Sequence, residues 1–157
     1  MNVGLVIERF DPRRGGAEQW TWQFTQRLIE RGHQVHVTAR SFTAPEHRLA
    51  VCEEPIDAPQ SRIEFAAAAE RRLRRLGLDV VHDMGVGWYC DVFQPHGGSR
   101  RAAFEQNLLL LPRWLRPLKR RAAHALPRYR EFEELVARQY ADDGRLLVAL
   151  SQMVARH

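Results

Sequence analysis

Lysine is nearly missing from this 157-residue chain: Lys119 is the only one, and arginine supplies the rest of its 24 basic residues. Cysteine is almost as scarce. Cys52 and Cys90 stand far apart, which argues against a disulfide framework or a cysteine metal knuckle and makes a reducing cytoplasm the default setting. No apolar run approaches the roughly 20 residues of a membrane-spanning helix. The opening residues, MNVGLVIERF, carry no basic leader, apolar h-region or cleavage site, so no targeting segment is expected. What is present is ordinary globular composition, 45% hydrophobic and 27% charged. That suits one domain over residues 1–157, with its own core and little left for a second.

Acidic residues are absent from one place. Between positions 100 and 130, nine basic residues meet a single acid, Glu105, for a local charge of +8; the other 15 basic and 18 acidic residues leave the remainder at −3. Codon usage can explain arginine over lysine, but it cannot explain missing acids. A local excess of this kind points to a patch facing an anionic partner. Within it, residues 108–121 (LLLLPRWLRPLKRR) combine a run of four leucines with Trp114 and the cations Arg113, Arg116, Lys119, Arg120 and Arg121. Two readings stand. The segment inserts at a lipid interface, where each cation contributes about 1 kcal/mol near an anionic surface. Alternatively, the leucines cover the domain's own core and the arginines form a solvated face. Nucleic acid is not expected as a partner: no helix-turn-helix or zinc module is visible, and the aromatics do not interleave with the basic residues.

Periodicity supplies the fold class. Residues 2–7 (NVGLVI) form an almost wholly apolar run, as in a strand buried on both faces. After a polar turn, residues 17–31 place Ala17, Trp20, Phe24 and Leu28 on one helical face, and Gly32 follows where a left-handed cap belongs. Residues 34–39 (QVHVTA) alternate like a second strand. This strand–helix–strand unit predicts a right-handed crossover between parallel strands. Further along, a short strand is possible at 49–52, a helix is expected at 62–76 with Ile63, Ala66, Ala67, Leu73 and Leu76 inward, and strands at 79–83 and 91–94. Residues 99–124 are helical in parts, interrupted by Pro112 and Pro117. A helix at 128–140 and a buried strand at 145–150 complete the pattern, with Ser151 capping a last helix. Alternating strands and helices predict an α/β fold: an open, mostly parallel, Rossmann-like sheet with helices on both faces.

Ligands in such sheets bind beyond the C-terminal strand ends, which singles out the loops at 8–16, 84–90 and 95–99. Gly15 and Gly16 open a helix, where backbone N–H groups favour anions and bare α-carbons admit a phosphate or sugar; a plain tight turn is the simpler reading. The loop is too long for a dinucleotide fingerprint, and G-x-G-x-x-G is absent. His96 lies in Gln94-Pro95-His96-Gly97-Gly98-Ser99, just past a buried strand. An imidazole there can donate a hydrogen bond or move a proton near neutral pH, with Gly97 and Gly98 clearing space and exposing amides and Ser99 beside them a candidate for substrate or diphosphate binding; a satisfied polar loop residue is the alternative. The other histidines show no metal-binding spacing, and His33, His36 and His82 read as strand or loop structure. No metal site, nucleophile elbow or P-loop is found.

Taken in order, these segments resemble a known family. The strand, Glu8-Arg9-Phe10, Gly15-Gly16-Ala17-Glu18, the helix and Arg31-Gly32-His33-Gln34-Val35 are similar to the N-terminal domain of GT-B glycosyltransferases of the retaining family four. Asp79-Val80-Val81-His82, the His96-Gly97 turn and Leu150-Ser151-Gln152-Met153-Val154 follow in the same order. The basic, aromatic-bearing segment at 108–121 and Pro127-Arg128-Tyr129-Arg130 resemble the lipopolysaccharide-core sugar transferase branch. The resemblance implies the acceptor-binding half of a two-domain enzyme that moves a sugar from a nucleotide-sugar to a glycan or lipid-linked acceptor. Gly15-Gly16 would lie against the donor diphosphate or the acceptor, and His96 would sit near the transferred sugar as the catalytic-site histidine. No cofactor or metal is implied, only the nucleotide-sugar co-substrate. That molecule would be held mainly by a C-terminal domain, in cis or in trans, which in this family carries a glutamate pair spaced E-x7-E. The isolated chain is therefore expected to be inactive, cytoplasmic and peripheral on the inner membrane face. A non-catalytic membrane- or partner-docking module with the same fold is the alternative.

Overall fold

The computed structural model of the protein describes residues 1–42, 49–57, 61–96, 98 and 100–156. In chain order the elements are β1 (Asn2–Val6), β2 (Arg9–Phe10), α1 (Gly16–Glu30), β3 (Gln34–Ala39), β4 (Ser41–Phe42), β5 (Cys52–Pro55), α2 (Arg62–Leu73), β6 (Val80–Asp83), β7 (Val92–Phe93), α3 (Arg100–Leu109), α4 (Arg116–Ala125), α5 (Pro127–Gln139), β8 (Leu146–Leu147) and α6 (Gln152–Ala155). Among the described residues, six strands form one sheet in the order β5-β3-β1-β6-β7-β8, while β2 and β4 pair separately. Every pairing in the larger sheet is parallel.

The central strand shows why the sheet is covered twice. Val3, Leu5 and Ile7 join Val35 and Val37 in one apolar cluster, against which Trp20, Trp22, Phe24 and Leu28 of α1 pack. Val6 points the other way, to Phe65, Ala69 and Leu73 of α2. A period-2 alternation on a strand buried on both faces makes both sets apolar, which is the run NVGLVI. On α1 the wholly buried residues are Thr21 and Thr25; each hydroxyl donates to the carbonyl four residues back, at 2.8 Å, so the polar groups are satisfied within the helix. The helix closes on Gly32 at φ +78°, with His33 N–H bonded to Leu28 O and Gly32 N–H to Ile29 O, the paired bonds of a left-handed C-terminal cap.

Three expectations need correction. The strand placed at 49–52 is β5, three residues later. Its buried Glu54 takes Arg72 and His36 as partners, His36 Nδ1 lying 3.1 Å from Glu54 Oε1, so an acid is buried on this edge strand, where composition argues against a strand. The helix expected to reach Leu76 ends at Leu73, because Arg75 and Leu76 bond three residues back, tightening the last turn. The strand expected to be buried at 145–150 shrinks to β8, and Leu146 and Leu147 are 61% and 52% exposed. It is the sheet's edge, so it is paired on one side only. Pro112 separates α3 from α4 as expected, whereas Pro117 lies inside the first turn of α4, where a missing N–H costs nothing.

Candidate functional site

Parallel pairing fixes where chemistry can gather. β1, β6 and β7 are neighbours, so the segments after Val6, Asp83 and Phe93 leave the sheet at one edge. The first leads to α1. Gly15 is its N-cap, with extended backbone and no side-chain capping bond. A Cβ at Gly15 would come within 2.9 Å of Glu18 Oε2, whereas a Cβ at Gly16 would meet nothing within 4 Å. The glycine pair therefore opens the approach at Gly16, while the Glu18 carboxylate already stands beside Gly15.

One turn into α1, Trp20 meets His96 edge-on, with ring centroids 5.1 Å apart. Phe24 stacks on Trp20 at 4.9 Å and contacts His82 at 5.4 Å. Between the two imidazoles lies the Gln94 side chain, 3% exposed. Its Oε1 is 3.0 Å from His82 Nε2, and its Nε2 is 3.5 Å from His96 Nε2. A carboxamide oxygen only accepts and its nitrogen only donates. In this arrangement His82 carries its proton on Nε2, His96 Nε2 accepts, and His96 Nδ1–H is left to donate. Burial lowers the pKa of both histidines; Gln94 opposes this at His82, whose neighbour His96 lowers it further, and Glu18 opposes it at His96. Both rings are neutral at pH 7.

The segment 84–90 is held from several sides. Asp83, wholly buried, accepts N–H bonds from Gly85 and Val86 on Oδ1, each 2.7 Å, and from Gly87 on Oδ2 at 2.8 Å. Burial outweighs these donors and the nearby Arg145, and pushes the Asp83 carboxyl up to about 6. Cys90, in the same segment, is pushed up to about 12 chiefly by burial, so its thiol stays protonated and unreactive.

Of the expected site residues, His96, Gly15 and Gly16 come to this edge. Gly98, at φ +63°, packs towards α6: a Cβ there would lie 3.4 Å from Val154. Gly97 and Ser99 lie outside the described residues. Sequence reasoning missed Glu18, His82, Asp83 and Gln94. For Asp83 a signal existed, since an aspartate followed by glycines two and four residues on marks a side-chain-to-backbone turn.

The basic patch divides. Leu110, Trp114 and Leu118 are 83%, 74% and 63% exposed, and Arg113, Lys119 and Arg121 stand exposed near them. Leu108 instead belongs to the core at 1% exposure. Two cations expected to face a membrane have structural partners. Arg116 donates to the carbonyls of Leu111 and Leu109 at the end of α3, at 3.0 and 2.9 Å, and Arg120 pairs with Glu105 at 2.6 Å. Both tie α3 to α4. No described helix is long and apolar enough to cross a membrane.

A cavity of about 740 Å³ does not include His96. It lies between Ser61, Arg62 and Ile63 of the α2 start and Phe104, Leu126, Tyr129 and Phe132. His96 is half-buried at the strand edge, a place suited to being part of one wall of a cleft.

Compared with curated proteins, the sequence finds no match. Its fold is similar to the crystal structure of WaaG, a glycosyltransferase involved in lipopolysaccharide biosynthesis, with a TM-score of 0.77 at 16% identity. The likeness covers 98% of this chain and 40% of that one. Residues 14–157 match the sequence model of the family described as Glycosyltransferase Family 4. That match runs through every element from α1 to α6, and the chain belongs to Glycosyltransferase Family 4.

Proposed function

We propose that this chain is the acceptor-binding half of a retaining glycosyltransferase that moves a sugar from a nucleotide-sugar to a glycan or lipid-linked acceptor at the inner face of a membrane. The observation that carries this reading is the strand edge where a neutral His96 stands beside the Glu18-bearing start of α1. His96 Nδ1–H donates to a sugar hydroxyl and Glu18 accepts from another, while Gly16 lets the ring approach the backbone. A diphosphate at Gly15 would meet the Glu18 carboxylate at close range, so the glycine pair suits acceptor hydroxyls better than the donor's phosphates. Donor binding then falls to a second domain, in cis or in trans, in line with the 40% share of WaaG that this chain spans. No metal or cofactor is assigned to this half.

Glycosyl transfer needs groups that stabilise both an oxocarbenium-like centre and a leaving diphosphate, so the half-enzyme alone is inactive. Calorimetric titration with a panel of nucleotide-sugars will give Kd values of roughly 1 mM or weaker, a binding free energy of about −4 kcal/mol or less in magnitude. A micromolar Kd for the isolated chain overturns this division of labour. In a reconstituted two-part enzyme, His96→Ala will lower transfer, and unaltered transfer would remove His96 from the mechanism.

The membrane part has its own test. Exposed leucines and Trp114 insert at the interface, and Arg113, Lys119 and Arg121 face anionic headgroups. Changing those three cations to Ser will reduce partitioning onto phosphatidylglycerol-containing vesicles about 100-fold, from about 1 kcal/mol each, with little change on neutral vesicles. Equal flotation of both proteins on anionic vesicles contradicts the assignment.

A further inference from the structure

The 84–87 turn is built around one buried carboxylate, and the outer side of that turn touches the segment carrying His96. Asp83 is the last residue of β6 and pairs in register with Phe93 of β7. Its backbone carbonyl accepts from Gln94 N–H at 2.8 Å, while its side chain gathers the three N–H groups of Gly85, Val86 and Gly87. A Cβ at Gly87 would lie 2.5 Å from Asp83 Oδ2, so the carboxylate fills the space a side chain would need. The opposite face of the turn is also held. Gln139 of α5 donates to Gly87 O at 3.0 Å and reaches Gly85 O at 3.5 Å. Arg145 donates to Trp88 O at 2.8 Å and to Gln139 O at 3.2 Å.

This block meets the next loop at Gly85. Its φ is +95°, and a Cβ there would come 2.8 Å from Pro95 Cα and 3.6 Å from His96 N. Backbone rests on backbone, with no flexible side chain between to absorb a displacement. Whatever moves the turn moves Pro95, and with it the ring that leans on Trp20.

We propose that Asp83 is a positioning residue: by folding the 84–87 turn it sets where His96 stands at the strand edge. The inference rests on the reading of His96 as a site residue, but concerns the placement of the ring rather than the reaction. Asp83 itself touches no open surface and takes no part in binding. Its role passes through Gly85 and Pro95.

The test follows the His96 imidazole by NMR titration in the full chain, which needs no partner and no activity. In Asp83→Asn one acceptor oxygen becomes an N–H2 group facing backbone donors, and the turn loosens. In Gly85→Ala the carboxylate stays intact, but the contact with Pro95 becomes a clash. Both variants will shift the His96 ring resonances and raise its titration midpoint towards that of a free imidazole, because the ring leaves its partly buried place beside Trp20. Glu54→Gln, which disturbs another buried carboxylate between β3, β5 and α2, serves as the control and will leave the His96 titration as in the wild type. Unchanged His96 titration in both Asp83→Asn and Gly85→Ala overturns the proposal, as does an equal shift in the control. Should Asp83→Asn fail to fold, Gly85→Ala decides. Loss of the functional reading looks different: His96→Ala would then leave transfer intact in the reconstituted enzyme while the ring still moved in these variants.

Discussion

Replacing Phe93 with Ala will cost about 3–5 kcal/mol, the range for an aromatic removed from a core that cannot collapse around the hole. Phe93 is wholly buried and meets Tyr140 edge-on at 5.4 Å. It makes up half of β7, a strand of two residues whose backbone bonds alone could not order it. Those two residues place Gln94 and His96. Because a domain of this size is stable by only about 5–15 kcal/mol, the variant loses about a fifth of that total or more. With a urea m-value of about 2 kcal/mol/M, the midpoint falls by about 2 M. Leu147→Ala, one strand over in register with Phe93 but half exposed, will cost under about 0.5 kcal/mol. Urea titration followed by circular dichroism compares the two, and equal losses would show that the core is not where the structure puts it.

The second large effect concerns acid. Relative to Asp83→Asn, the wild type will gain up to about 3 kcal/mol of stability as pH falls from 7 to 4. The folded protein raises the Asp83 carboxyl from 3.8 to about 6, chiefly by burying it, against the pull of its three N–H donors and of Arg145. A raised acid binds its proton more tightly in the folded chain than in the unfolded one. Its stabilising contribution is thus complete below the unfolded value and lost as pH rises through about 6. Two pKa units at 1.36 kcal/mol each set the magnitude. His82 and His96 act with the opposite sign. Burial lowers both, so their contribution is present above the unfolded histidine value and disappears as pH falls through the folded one. The wild type alone therefore shows a muted acid response, and the difference between wild type and variant carries the carboxylate, offset in part by the His96 contribution that Asp83→Asn relaxes. Urea titrations at half-unit steps from pH 4 to pH 7 measure it; a difference that stays flat, or grows with pH, rules out the buried-acid account.

Local patterns carried most of the scaffold. The apolar run before Glu8, the α1 face and the left-handed Gly32 are each decided by neighbours within a few positions, so sequence alone locates them. β5 escaped because its buried Glu54 is acceptable only with His36 and Arg72 alongside, partners from two other elements. β8 was misjudged in burial for a related reason: apolar composition expresses a tendency to be covered, while the edge of a sheet is a property of topology. At the site, His96 could be singled out from its place after a strand. Gln94, His82 and Glu18 could not, because β6, β7 and α1 converge only after the sheet forms. In the basic stretch, Glu105 was the legible hint. A lone acid among nine cations has a partner, and that partner is Arg120, fifteen positions away.

The scarcity of lysine has a practical side. Amine-reactive reagents find two primary amines in the described chain, the N-terminus and Lys119, and the latter sits among exposed leucines near the one largely exposed tryptophan. With the N-terminal amine blocked beforehand, a dye lands on Lys119, next to a native fluorophore, without any engineered cysteine. Energy transfer from Trp114 to that dye would report burial of the patch in real time.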